Sequence, residues 1–275
     1  MALPAAGLPL DALGVAHPPH PGARIASLVP SVTETLFALG LGSHVLARTG
    51  FCIKPEPQVR VVPKVGGTKD VLIEKLLATR PTHVIVDIDE NRRETYEVLR
   101  QRVPNVIVLR PVRPEDVVDL LRLLGHAFGV EAAAGREVSR LLAALDRTRA
   151  FRRERGEEQV LCLIWRKPWM TVSRDTYASR MLAEVGWQTV PAVSDTRYPV
   201  LAEDAGAWRQ ARRWLLTTEP YPFTSSDVER LASQDEAPQC SLLDGEMLTW
   251  YGARTATALE YLLQRHAELA ASAAR

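Results

Sequence analysis

The chain has 275 residues, 24% charged and 46% apolar, with 34 Lys and Arg set against 33 Asp and Glu. That length can bury one large core or two of ordinary size, and the near-zero net charge leaves no field to attract nucleic acid or an anionic membrane. Cys52, Cys162 and Cys240 are odd in number and far apart, which excludes a disulfide framework or a zinc knuckle and fits a reducing compartment.

Residues 1–23 read as an N-terminal arm. The stretch is mildly apolar but has no basic start, is broken by Pro4, Pro9 and Asp11, and contains no uninterrupted apolar run. No signal peptide is expected, so the location is read as cytoplasmic, or periplasmic if the true start lies upstream. No stretch is long and apolar enough to enter a bilayer. His17 and His20 flank two prolines that keep the imidazoles off any regular element, so they are read as part of a solvated arm and not as metal ligands.

From residue 24 short β-branched runs alternate with helix-period segments. "RIASLV" (24–29), "VLAR" (45–48), "HVIVDI" (83–88) and "NVIVLR" (105–110) read as strands. Between them "SVTETLFALG", "KDVLIEKLLATR" and "ENRRETYEVLRQR" read as helices. This alternation implies parallel pairing through crossover helices, a first α/β lobe over 24–125. Ser31 with Glu34, and later Ser226 with Glu229, have the spacing of capping boxes.

No strand signal occurs from about Pro114 to Gly156. Val138, Leu141, Leu142 and Leu145 recur at helical spacing, and a helix from Glu131 to Glu154 would run about 36 Å at 1.5 Å per residue. A backbone helix over 126–156 is therefore expected to join two domains. The alternation then restarts over 157–275 with "VLCLIW", "DTYASRMLAEVG", "RRWLLTT", "SSDVERLAS", "CSLL" and a final helix from about Arg254 that docks and then frays. The fold class is α/β, with two Rossmann-like lobes and a single long interdomain helix.

All six tryptophans lie after residue 160. Trp187, Trp208 and Trp214 fall in or beside predicted elements and read as core. The others sit in loops after strands: Trp165 and Trp169, Tyr198, Tyr221 with Phe223, and Trp250 with Tyr251. In open α/β sheets the loops at the carboxyl ends of strands form the ligand crevice, so these rings are candidates to line a small-molecule site. In "LIWRKPWMTV", Trp165 is expected to finish a strand, Pro168 to turn the chain, and Trp169 to face the ligand, with Arg166 and Lys167 at the rim.

These residues, with "RIASLVPSVTETLFALGLG", "RTGFC", "VPKVGGTKD", "THVIVDIDENRRET", "TTEPYPF" and "DGEMLTWYG", resemble the helical-backbone substrate-binding proteins, the class that includes the cobalamin- and siderophore-binding proteins of ABC importers. The resemblance covers 24–265. It implies a monomeric receptor that holds a corrinoid, haem or metal chelate between two lobes, needs no cofactor of its own, and is linked to an ABC importer. Carried over residue by residue, it implies ligand contacts from Phe51, Cys52, Gly67 and Thr68 on the first lobe. From the second it implies Trp165, Trp169, Tyr198, Tyr221, Phe223, Trp250 and Tyr251. Glu74, with Glu203 or Asp204, matches the acidic residues that dock a transporter. Thr68 stands where the cobalamin-binding relative has a tryptophan, and the Cys52 thiolate is a candidate ligand for a soft metal.

No G-x-S-x-G, H-E-x-x-H or complete phosphate loop occurs. The chain is read as non-catalytic. An enzyme or sensor on the same scaffold is the alternative, with His83, Asp87, Asp89 and Glu90 as its only candidate cluster.

Overall fold

A computed structural model describes residues 8–234 and 237–273. The chain divides into two compact units. The first comprises residues up to Pro111, Glu115–Arg140 and Tyr251–Arg254; the second comprises Val112–Pro114, Leu141–Trp250 and the chain from Thr255.

The first unit contains β1 (Ile25–Ser27), α1 (Pro30–Ala38), β2 (Val45–Arg48), α2 (Ile73–Ala78), β3 (His83–Asp87), α3 (Arg93–Arg102), β4 (Asn105–Leu109) and α4 (Asp116–Phe128). It also takes the start of α5 (Glu131–Arg155), whose 25 residues run about 37 Å at 1.5 Å per residue. Its sheet has the order β2-β1-β3-β4, and every pair is parallel. Ala26, Leu28, Ala47, Leu76, Val84, Val86 and Leu99 form one of its buried clusters.

The second unit contains β5 (Glu158–Trp165), β6 (Met170–Thr171), α6 (Tyr177–Glu184), β7 (Trp187–Thr189), α7 (Gly206–Gln210), β8 (Arg213–Thr217), α8 (Ser225–Ala232), β9 (Gln239–Leu243), α9 (Gly245–Thr249) and α10 (Thr255–Ala273). The order is β6-β5-β8-β9, with β7 also on β5. β7, β8 and β9 pair in parallel, while β6 folds back antiparallel.

Several expectations are corrected. The long helix does not start at 126: residues 126–128 end α4, and Gly129 at φ +69 breaks the run, with Val130 N donating to Gly125 O at 2.8 Å. A glycine in the left-handed region is a standard helix stop. Neither sequence-read capping box forms. Val29 precedes α1, and Pro30, which needs no N–H partner there, begins it. At α8 the box is Thr224 with Asp227, two residues earlier than the spacing of Ser226 and Glu229 implied.

The arm is solvated over 12–16 and 18–22 but anchored at Asp11, His17 and Ala23, which are buried. Ala12 N donates to Val108 O at 2.8 Å on edge strand β4, and Val108 N donates to Asp11 Oδ2 at 3.2 Å. His17 is buried, with Nε2 3.1 Å from Asp11 Oδ2. Burial works to raise the Asp11 pKa, but His17 and the amides of Val15, Val108 and Leu13 outweigh it and hold the carboxyl below its usual range. The arm thus covers a sheet edge that would otherwise expose unpaired backbone. Its first seven residues, Pro4 among them, lie outside the described residues, as do 274 and 275, where fraying of the last helix is expected. Strands β6 and β7 and helices α7 and α9 were not read from the sequence because two to five residues carry no measurable period.

Candidate functional site

In each unit the carboxyl ends of the parallel strands carry the residues of interest. In the first, β2 opens into the loop with Phe51, and the 66–68 turn lies beside it. A Cβ at Gly67 would lie 3.4 Å from the Phe51 ring, an ordinary van der Waals contact, which places the ring beside the turn. Phe51 is 63% exposed, and Gly67 and Thr68 are half-buried. Asn91 ties the turn to the sheet: its Nδ2 donates to Thr68 O at 2.9 Å, and its Oδ1 accepts from Asp87 N at 2.9 Å.

Asp87, at the end of β3, is buried. Its Oδ1 accepts from Asp89 N at 2.7 Å and Glu90 N at 3.1 Å, and its Oδ2 accepts from Tyr251 OH at 2.8 Å. Burial raises the Asp87 pKa against the lowering pull of these donors. Burial, then the Asp87 charge, pushes the Tyr251 phenol well above its ordinary value. Tyr251 was expected on the second lobe, but it belongs to the first unit and is buried, donating to Asp87.

Cys52 is also corrected. Its side chain is fully buried, with Sγ 3.1 Å from Thr49 Oγ1, and burial pushes the thiol pKa up. A thiol kept protonated and out of reach of solvent is not poised to ligate a metal. Among the described residues no group of three or more His, Cys, Asp or Glu side chains could hold a metal ion.

In the second unit β5 ends at Trp165, the chain turns through Pro168, and β6 returns with Met170 opposite Trp165. A line of rings crosses this face. Trp165 meets Tyr221 edge-on at 5.5 Å, and Tyr221 meets Phe223 at 4.6 Å. Phe223 stacks on Trp169 at 6.0 Å; Trp169 meets Trp208 at 5.7 Å, and Trp208 meets Trp214 at 5.1 Å. The outer end is open and the inner end is core: Trp165 is 39% exposed, Phe223 2% and Trp214 7%.

This divides the aromatic candidates. Trp165 and Tyr198 are exposed and Tyr221 is half-buried, with the Arg197 guanidinium 6.0 Å from the Tyr198 ring. Phe223 and Trp250 are buried, while Trp169, half-buried like Tyr221, packs against Phe223 and Trp208. Trp165 finishes β5 as expected and is the more exposed of the two rings. Trp187, Trp208 and Trp214 pack as expected. Arg166 is not a solvated rim cation, since its Nη1 lies 3.3 Å from Asp227 Oδ1. Lys167 is exposed, in a left-handed backbone conformation at φ +66.

Glu74 is exposed but paired, both oxygens accepting from the Arg102 guanidinium. Glu203 and Asp204 are exposed on a turn. Sequence reasoning missed Asp87, Asn91 and Arg48 as organisers of the first face; single polar residues at strand ends carry no spacing signal.

The periplasmic binding protein family model matches residues 25–240. The chain belongs to this family. It is 24% identical over 184 residues to a vitamin B12-binding protein of Vibrio cholerae, an alignment spanning 66% of this chain and 65% of that relative. It is 26% identical over 168 residues to an uncharacterized ABC transporter substrate-binding lipoprotein, YvrC, of Bacillus subtilis, covering 58% of this chain and 52% of that one. Its fold matches the crystal structure of the periplasmic vitamin B12-binding protein BtuF of Vibrio cholerae with a TM-score of 0.76 at 21% identity, over 90% of this chain and 97% of that one. The periplasmic heme-binding protein RhuT of Roseiflexus sp. RS-1 matches with a TM-score of 0.74 at 23% identity, over 88% and 98% of the two chains. At such identities the structures establish the two-lobed α/β fold.

Proposed function

We propose that this protein is a non-catalytic solute receptor of an ABC-type uptake system, binding a large planar, metal-bearing ligand such as a corrinoid, haem or ferric siderophore. The observation that carries the reading is the exposure of the Phe51 and Trp165 rings, each just past or at the carboxyl end of a parallel strand, in a chain of this family. Flat rings match a flat ligand by stacking, and apolar walls with few polar groups suit such ligands. The relatives named for vitamin B12 and heme support the class without choosing between its members.

The relatives are periplasmic or lipoproteins by name, which favours the periplasmic alternative over the cytoplasmic expectation. Of the candidate docking carboxylates, Glu203 and Asp204 suit a basic transporter surface better than Glu74, whose charge Arg102 already meets. The receptor is proposed to act as a monomer.

The test is to titrate cyanocobalamin and hemin into the purified protein while following tryptophan fluorescence. Saturable quenching by one of them, at equimolar stoichiometry, is expected. Lack of quenching by either, and by a panel of ferric siderophores, would overturn the reading.

A further inference from the structure

The first face depends on a cation that no carboxylate neutralises. Arg48, the last residue of β2, is 3% exposed, and among the described residues no acidic side chain pairs with it. Its Nε donates to Val59 O at 2.9 Å, and its Nη1 donates to Thr49 O at 3.2 Å and Cys52 O at 3.0 Å. All three acceptors belong to the loop between β2 and Pro63: two at its start and one at its end.

The backbone of Arg48 does the same for the next segment. Its N–H donates to Pro63 O at 3.0 Å and its carbonyl accepts from Val65 N at 2.8 Å, while Gly50 N donates to Gly66 O at 2.7 Å. Phe51 thus sits in sequence between two carbonyls held by one guanidinium, and its ring edge lies beside Gly67. A buried charge is tolerated only where its donors are satisfied; here the partners are loop carbonyls, so the charge and the loop conformation require each other. The planar fork reaches several acceptors at once, which an ammonium cannot reproduce in one plane.

We propose that Arg48 is the positioning residue for the ligand face of the first lobe, closing the 49–62 loop so that Phe51 is presented in one orientation beside Gly67. Its effect on ligand rests on the proposed function. Its effect on the loop does not.

The test uses the full chain in three forms: unchanged, Arg48→Met and Arg48→Lys. Hydrogen exchange followed by mass spectrometry is measured without ligand. In Arg48→Met, peptides spanning 50–62 should exchange about tenfold faster or more, as expected of a local opening, while peptides from β1 and β3 keep their rates. Arg48→Lys, which retains the buried cation, should show the same localised loss and serves as the readout if the methionine form does not fold. Unchanged loop exchange, acceleration spread evenly over the sheet, or full rescue by lysine would each overturn the proposal.

Cyanocobalamin and hemin are then titrated into all three forms. Whichever probe binds the unchanged protein should bind Arg48→Met roughly tenfold more weakly, the cost of ordering a loosened loop on binding; equal affinity overturns the ligand half. If neither probe binds the unchanged protein, the proposed function fails, and the exchange result alone decides the role of Arg48.

Discussion

The Arg254 guanidinium grips both oxygens of Glu34, with Nε to Oε2 and Nη2 to Oε1 each at 2.7 Å and both side chains largely shielded from water. These residues stand 220 positions apart, yet both belong to the first unit. Arg254 ends a strap, Tyr251–Arg254, that also places Tyr251 OH on Asp87 and Ala253 N on Thr35 Oγ1 at 3.1 Å.

Removing Arg254 leaves the Glu34 carboxylate shielded and without its two-point partner. Arg254→Met should destabilise the protein by about 2 kcal/mol, between the values for an exposed and a fully buried pair. Urea unfolding of Arg254→Met, Glu34→Gln and the double variant checks it. The double variant should lose less than the sum of the single losses.

Gly252 permits the strap to lie flat. It adopts φ +102, and a Cβ there would fall 2.0 Å from Thr35 Oγ1. Gly252→Ala should therefore cost more than about 1 kcal/mol, from backbone strain and the clash together. Adding Thr35→Ala should recover part of the loss, leaving the conformational share, as read from the midpoint of thermal unfolding.

Acid should loosen the first unit through His83. Its ring is buried against Phe128 and His20, with Nδ1 2.9 Å from Thr82 Oγ1. Burial, then the nearby His20 and His17, lowers its pKa from 6.5 to about 4. A base whose folded pKa is depressed contributes stability that is complete above 6.5 and is lost as the pH falls towards 4. The loss should reach roughly 3 kcal/mol at about 1.4 kcal/mol per pH unit. Denaturant unfolding at pH 7, 5.5 and 4 measures it, and His83→Gln should flatten that profile.

The two tryptophans of the β5–β6 turn should part company. Trp165→Ala should leave the unfolding midpoint nearly unchanged and weaken binding of the quenching probe. Trp169→Ala opens the packed row between Phe223 and Trp208 and should cost about 3 kcal/mol, as large-to-small changes among packed aromatics do. The reverse pattern would return Trp169 to the ligand surface.

The major strands and crossover helices were legible because β-branched runs such as "HVIVD" and the helix-period segments between them are long enough to show a period. Phe51 entered through the family resemblance, and Tyr198 as one of the loop aromatics of the second half; both are exposed. The greater exposure of Trp165 over Trp169 was not legible, since it turns on a two-residue return strand. Glu34 could not be read correctly either: its spacing from Ser31 matched a local cap, and the competing partner lies near the other end of the chain. Long-range pairs of this kind leave no trace in local pattern.

The strap also sets a timetable. Asp87 and Tyr251 are 164 residues apart, so at about 5–20 residues per second roughly 8–30 s separate their synthesis. For that interval the N-terminal sheet is translated but lacks its last hydrogen-bond donor to Asp87 and its cation for Glu34. The lobe made first on the ribosome is completed almost last, and a nascent chain halted anywhere before residue 251 carries a half-finished surface for chaperones and proteases to find.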